Sequence, residues 1–287
     1  MTNTGTSKKW VPYLLLAPGA LWLALFFLTP MFNLGATSLY DPSGSLETGY
    51  VMNGHVGNYV DALSEYWPQF LRSFTFAAIA TVLALIIAYP LAYAIALKSG
   101  QWKNILLVLV IAPFFTSFLL RTLAWTAILG DNSSFVHFLQ NIHILPEGGR
   151  ILATPFAVVM GLTYNFLPFM TLPLFTSLEK VDPRLIEAAG DLYSKPFNGF
   201  HRVVLPLSMP GVVAGTLLTF IPASGDYINA QLLGGIKNTT MIGNVIDRAF
   251  LERGAYPTAA ALSFLLMAAI VILVASYVKR AGTDELV

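Results

Sequence analysis

The sequence predicts an all-α, polytopic membrane protein with about six transmembrane helices, and three observations carry that expectation. Of its 287 residues, 56% are hydrophobic and only 11% are charged, whereas an ordinary soluble domain spends about 25% on charge. The mean hydropathy is +0.67. The apolar residues also gather into six runs that meet or nearly meet the roughly 20 residues needed to cross a hydrocarbon core about 30 Å thick. The 16 basic and 15 acidic residues leave a net charge of +1, which gives no footprint for nucleic acid. With no cysteine in the chain, disulfides, thiolate metal sites and cysteine nucleophiles are excluded.

The first run, Val11 to Ala36, follows Lys8 and Lys9 as the core of a signal peptide would. It is too long for one and lacks a small-residue cleavage site, so it reads as a span. Phe74 to Leu97, Ile105 to Leu129 and Ile151 to Leu178 follow as the second to fourth. Pro206 to Ala223 is the fifth, interrupted by Pro210, Gly211 and Gly215, residues that are commoner in membrane helices than in soluble ones. Thr258 to Val278 is the sixth. Asp41 to Leu71 and Gly130 to Arg150 read as polar outer loops, Glu179 to Leu205 as a long inner loop, and Ser224 to Pro257 as an outer segment with apolar pieces of its own.

Orientation follows from the basic residues near the span ends. With residues 1–10 inside, the inner segments hold Lys8, Lys9, Lys98, Lys103, Lys180, Arg184, Lys195, Arg202, Lys279 and Arg280, which is 10 of the 16. Arg72, Arg121, Arg150, Lys237, Arg248 and Arg253 lie outside or within a span, near acids such as Asp41, Glu47, Asp61, Glu65 and Glu147. Both termini, including the tail 281–287, are then expected to be cytoplasmic.

The inner loop reads LEKVDPRLIEAAGDLYSKPFNGFHRVVLPLSMPGV. Asp182 is placed to cap a helix whose first turn holds Pro183, where no donor is missed. Leu185, Ile186, Ala189 and Leu192 fall on one apolar stripe, suited to lying against the chain's own spans, while Glu187, Ala188 and Asp191 face elsewhere. Ser194 to Pro196 is expected to break this helix before a second short piece through Phe197, Phe200 and Val203 reaches Leu205 and Pro206.

Glu187, Ala188 and Ala189, followed by a helix and then Leu205-Pro206, resemble the "EAA" coupling loop of permease subunits of type I ATP-binding-cassette importers. The resemblance implies a MetI-like permease domain over residues 11–280 with its coupling loop at 179–205. It also implies that Glu187, Ala188, Ala189 and Asp191 contact a separate ATPase. Tyr193 departs from the family pattern, which has a glycine there; Gly190 lies nearby. The chain itself contains no G-x-x-x-x-G-K-[ST] phosphate loop, so ATP and magnesium are expected in that partner, with no cofactor or metal here. By the same resemblance the partners are a second permease, two ATPase subunits and an external solute-binding protein, within a lipid bilayer.

APFFTSFLLRTLAW (Ala112 to Trp125) and FIPASGDYINAQLLGGIKNTTMIGNVI (Phe220 to Ile246) resemble the permeases of spermidine/putrescine importers, which implies a polyamine as solute. A chain of protonated amines needs carboxylates, amide oxygens or aromatic faces along its path, a ring contributing about 0.5 to 2 kcal/mol to a cation. Asp226, Tyr227, Asn229 and Gln231 follow the fifth span, and Trp125, Tyr164 and Asn165 lie at membrane depth. Several have a second reading. Asp226 beside Gly225 also suits a turn residue or a helix cap at the outer interface, Trp125, Tyr164 and Tyr227 also suit packing or an interface belt, and Asn165 also suits a bond to another helix.

Arg121 stands well inside the third span, where an arginine costs roughly 2.5 to 3.5 kcal/mol on insertion scales. It is expected to form an ion pair with Asp226 or with a partner-subunit carboxylate, or else to snorkel towards the outer surface. His55, His137, His143 and His201 lack metal-ligand spacing and read as solvated. Gly234 and Gly235 suit either a tight turn that lets the chain dip back or a plain loop. The rival functions are import of another solute (a sugar, an amino-acid-like compound or an oxyanion), a purely structural membrane subunit, and an intramembrane enzyme. For the last, no paired acids or activated nucleophile occur in the spans.

Overall fold

A chain crossing lipid must satisfy its backbone amides internally, which favours helices. The computed structural model describes residues 11–45, 47–146, 148–191, 196–235 and 238–281. Among these, helix dominates and the β-structure is limited to the isolated bridges Tyr40–Met52 and Ser45–Gly49. In order, the helices are α1 (Val11–Leu23), α2 (Thr29–Thr37), α3 (Gly57–Tyr93), α4 (Lys103–Ile111), α5 (Phe118–Leu129), α6 (Ser134–Asn141) and α7 (Pro155–Glu179). They continue with α8 (Pro183–Asp191), α9 (Pro196–Gly199), α10 (Leu205–Ser224), α11 (Ile228–Leu233), α12 (Ile242–Leu251) and α13 (Tyr256–Ala281). Among the described residues, five stretches have the length and hydropathy to cross a bilayer, or up to six when the bent pair Gly100–Phe115 and Phe118–Leu129 counts as one span.

Several boundaries differ from the sequence reading. A π-helical turn, Ala24–Leu28, joins α1 to α2. Helix α3 begins at Gly57, so the second half of the expected outer loop Asp41 to Leu71 is helical. The expected loop Gly130 to Arg150 contains α6, capped by the Ser133 hydroxyl, which accepts from the Val136 amide. The third span is not one straight helix. Pro113 closes a 3-10 turn at Ala112–Phe115, Thr116 is extended, and the chain turns by 91° before α5. The fourth span starts at Pro155, behind the Thr154 cap. The fifth is longer than expected, because α9, a π turn at Phe200–Val204 and α10 run together from Phe197 to Ser224.

The chain forms two compact units, residues 1–65 with 248–265 and residues 66–247 with 266–287. In the first, α1 and α2 are exposed on nearly all sides, with Leu14, Leu15, Trp22 and Phe32 each more than 65% exposed. The turn after α2 is tied down at Asn58, whose Nδ2 donates to the carbonyls of Ser38 and Tyr40, and by a 2.6 Å bond between the Ser38 and Tyr59 hydroxyls. Ser43 donates its amide and hydroxyl to Asp41, which holds that carboxyl below its usual pKa.

In the second unit α7 is the central helix, with fourteen buried residues. Gly211 and Gly215 of α10 let it approach α7 closely. A Cβ at Gly211 would stand 2.7 Å from the Pro173 carbonyl oxygen, and one at Gly215 would stand 3.0 Å from that of Met170. Ala77, Ala80, Ala84, Ala88 and Ala92 of α3 are fully buried. They recur every three or four residues along one face, the small-residue pattern that lets membrane helices pack tightly. Their neighbours in the two apolar clusters of this unit include Leu162, Phe166, Met170, Leu174 and Leu178 of α7.

Candidate functional site

The resemblance points to the loop after α7. Asp182 accepts the Arg184 amide at 2.9 Å and starts α8 where the sequence places it. Glu187, Ala188, Gly190 and Asp191 are exposed, and Ala189 is half-buried near Gly199, where an added Cβ would lie 3.8 Å from the Ala189 Cβ. The expected apolar stripe is only partly turned inward. Ile186 packs on the cluster that holds Phe200, whereas Leu185 remains 48% exposed. Phe197 of α9 is 74% exposed. Leu192 and Tyr193, with the expected break at Ser194 and Lys195, lie outside the described residues. Tyr89 and Tyr93 of α3 meet the Phe200 ring edge-on at 5.5 and 6.3 Å, and Tyr89 bonds Ser208 at 2.7 Å. The exposed α8 therefore packs on α9 and the Phe200–Val204 turn, which lead into the anchored α10.

The second location lies where α5, α7 and α11 meet. Asn165 is the eleventh residue of α7, about 15 Å along the helix from its first residue at about 1.5 Å per residue. Its Nδ2 donates to Asn229 Oδ1 at 2.9 Å and to the Thr122 hydroxyl at 3.1 Å, so one amide ties all three helices together. Both asparagines are at most 1% exposed, and Asn165 Oδ1 and Asn229 Nδ2 have no hydrogen-bond partner. Gly161 makes room for them, since a Cβ there would lie 2.9 Å from Asn229 Oδ1.

Asp226 is 9% exposed and accepts the Asn229 amide at 2.8 Å. Asp226 stands one residue before Tyr227, the N-cap position of α11, and takes an amide of the first turn, which suits the helix-cap reading of this residue. Trp125 and Tyr164 meet edge-on at 5.3 Å, next to Asn165, and both are half-buried. Tyr227 is 40% exposed, and its carbonyl accepts Asn244 Nδ2 at 2.8 Å. Gln231 is exposed.

Sequence reasoning missed Thr122, Gly161 and Asn244. Asn244 had a legible signal: three residues after Met241, its Oδ1 accepts the Met241 amide at 3.0 Å, the returning half of a capping box. Ahead of Gly234 and Gly235 the outer segment forms α11, which packs on α5 and α7. The Ala153 amide donates to the Leu233 carbonyl at 2.9 Å, and Gly234 has no space for a Cβ beside the Ala230 carbonyl.

The expected ion pair between Arg121 and Asp226 is not formed. The Arg121 guanidinium lies over the rings of Phe114 and Phe118, at 4.8 and 5.7 Å, while Asp226 is engaged at the head of α11. Among the described residues the ion pairs are Lys103–Glu179 and Arg150–Asp131. His137, His143 and His201 are exposed, His55 is half-buried, and no described group of histidines and acids is arranged to hold a metal.

Residues 88–281 match the family described as the binding-protein-dependent transport system inner membrane component. The chain belongs to that family. It is thus a multi-pass inner-membrane permease component, a transport subunit and not an enzyme. Among its relatives is the spermidine/putrescine transport system permease protein PotB of Haemophilus influenzae, 38% identical over 90% of each chain. The Escherichia coli K12 protein of the same name is 36% identical over 85% of this chain and 88% of its own. The inner membrane ABC transporter permease protein YdcU of Escherichia coli K12 is 34% identical over 75% of this permease and 72% of its own length. Among solved structures, a bacterial alginate ABC transporter in complex with an alginate pentasaccharide-bound periplasmic protein contains a chain of the same fold. It has a TM-score of 0.69 at 16% identity and covers 96% of this permease and 95% of that chain.

Proposed function

We propose that this permease carries a polyamine such as spermidine or putrescine inward as one of two membrane subunits of an ATP-driven importer. The observation that carries the reading is the 36–38% identity over most of the chain to permeases named for that solute. An external binding protein delivers the solute. Two copies of a separate ATPase, which hold the ATP and magnesium, grip Glu187, Ala188, Ala189 and Asp191 from the cytoplasm. The exposure of Glu187, Ala188 and Asp191 on α8, with Ala189 half-buried beside them, supports that role. The distribution of lysine and arginine supports placing both termini on the same cytoplasmic side.

Along the path, Trp125, Tyr164 and Tyr227 supply aromatic faces, which favour a protonated amine over a neutral solute. Asn165 follows Tyr164 in α7 and bonds Asn229, whose amide Asp226 accepts. The Asp226 carboxylate adds negative potential, strengthened where water is excluded.

The test is uptake of radiolabelled spermidine by the complex reconstituted with its binding protein, with and without ATP. ATP-dependent accumulation that excess putrescine suppresses and alginate or sulfate does not is the expected result. Accumulation of an anion or sugar in preference to spermidine overturns the reading. In the same system, Ala188→Trp, a bulky change on the exposed face of α8, is expected to lower transport and binding-protein-stimulated ATP hydrolysis at least tenfold, with the permease still inserted at its normal level.

A further inference from the structure

The contacts of α5 and of the turn before it with α7 fix the level of Arg121 along α7. Phe114 meets Phe169 at 5.2 Å, Phe118 meets Phe166 at 6.2 Å and Trp125 meets Tyr164 at 5.3 Å. Phe118 and Trp125 are seven residues apart, about 10 Å along a helix, yet their partners on α7 are only two residues apart. Helix α5 therefore crosses α7 instead of descending beside it, and Arg121 stays at the level of the middle of α7. That level lies about 15 Å along α7 from its first residue, at about 1.5 Å per residue. The guanidinium lies over the rings of Phe114 and Phe118.

Arg121 is half-buried, and its Nε is buried without a hydrogen-bond partner. No described carboxylate of this unit is paired with it. Glu179 holds Lys103, Asp131 holds Arg150, Asp226 caps α11, and Asp182 takes the Arg184 amide. The start of α5 adds to the positive character of the spot, because Ser117 makes no side-chain cap and the first amides of the helix point at the break. Around the break the surface is bare and apolar, with Phe115 87% and Leu120 64% exposed.

We propose that Arg121 receives a carboxylate from the second permease, which seats an Asp or Glu side chain in the kink between α4 and α5 and covers Phe115 and Leu120. This rests on the reading of the chain as one of a pair of permeases. A cationic solute does not serve as the counter-charge, because like charges repel. A protein carboxylate neutralises the guanidinium and removes a positive barrier that would otherwise stand at the depth a polyamine must pass. Membrane charges are held in this way, by pairing inside a protein interface.

The test uses the full co-expressed complex with an affinity tag on this chain. A photo-crosslinking residue placed at Phe115 or Leu120, with Arg121 intact, is expected to capture a membrane helix of the second permease that contains an Asp or Glu. Arg121→Gln is expected to lower recovery of the second permease at least tenfold, and Arg121→Lys less. Arg121→Glu combined with an Arg at the captured acid is expected to restore assembly. Crosslinks to lipid alone, a captured helix without an acid, or unchanged recovery with Arg121→Gln overturns the inference. A wild-type chain that recovers no second permease overturns the functional reading on which the inference rests, a distinct result.

Discussion

At the scale of single residues, Asn165 joins three helices through one side chain. In a membrane such bonds contribute about 0.6 kcal/mol on average and up to about 1.7. Because Asn165 serves two acceptors, Asn165→Ala is expected to destabilise the permease by about 1 kcal/mol. Asn229→Ala added to it is expected to cost less than the sum of the two single changes, because both remove the same 2.9 Å bond. Thermal denaturation of the detergent-solubilised complex checks both. Asp226→Asn separates charge from capping, since asparagine caps a helix about as well as aspartate. Its expected result is an unchanged melting temperature with spermidine uptake lowered several-fold, read by a radiolabel assay. A loss of stability at unchanged uptake would assign Asp226 to capping alone.

At the scale of elements, what the sequence revealed and what it hid have one physical cause. Hydropathy reports how long a segment can stay in lipid, so the six runs were legible. It does not report direction, so the continuously apolar stretch around Thr116 and Ser117 concealed a 91° turn. Pro113 was its visible trace. The start of α3 was hidden for the opposite reason. Asp61, Ser64 and Glu65 are exposed and polar, which reads as loop, although Ala62 and Phe70 are buried on the other face. Of the site, α8 was legible because a cap, a proline and small residues stand in fixed order. The Asn165–Asn229 bond was not, because its partners are 64 residues apart. The contact between α7 and α10 also sets a prediction. Gly211→Val would press a side chain against the Pro173 carbonyl, and overpacking of this kind costs about 1–3 kcal/mol. A lower melting temperature and reduced yield of the assembled complex are expected, while Gly190→Ala, where a Cβ meets nothing within 4 Å, leaves both unchanged.

At the scale of the whole molecule, the absence of cysteine turns topology into a direct measurement. Single replacements Ser134→Cys and Glu187→Cys are expected to label with a membrane-impermeant maleimide from opposite faces, the first in intact cells and the second only in inverted vesicles. Labelling of both from one face would contradict the proposed orientation. The run from Phe197 to Ser224 also bears on how movement is passed on. It is unbroken helix over 28 residues, about 42 Å at about 1.5 Å per residue. A rod of that length acts as a lever: a tilt of about 5° at its foot swings its tip by about 4 Å. The tip ends two residues before the carboxylate that heads α11, so a small push on one side of the bilayer arrives as a displacement larger than a hydrogen bond on the other.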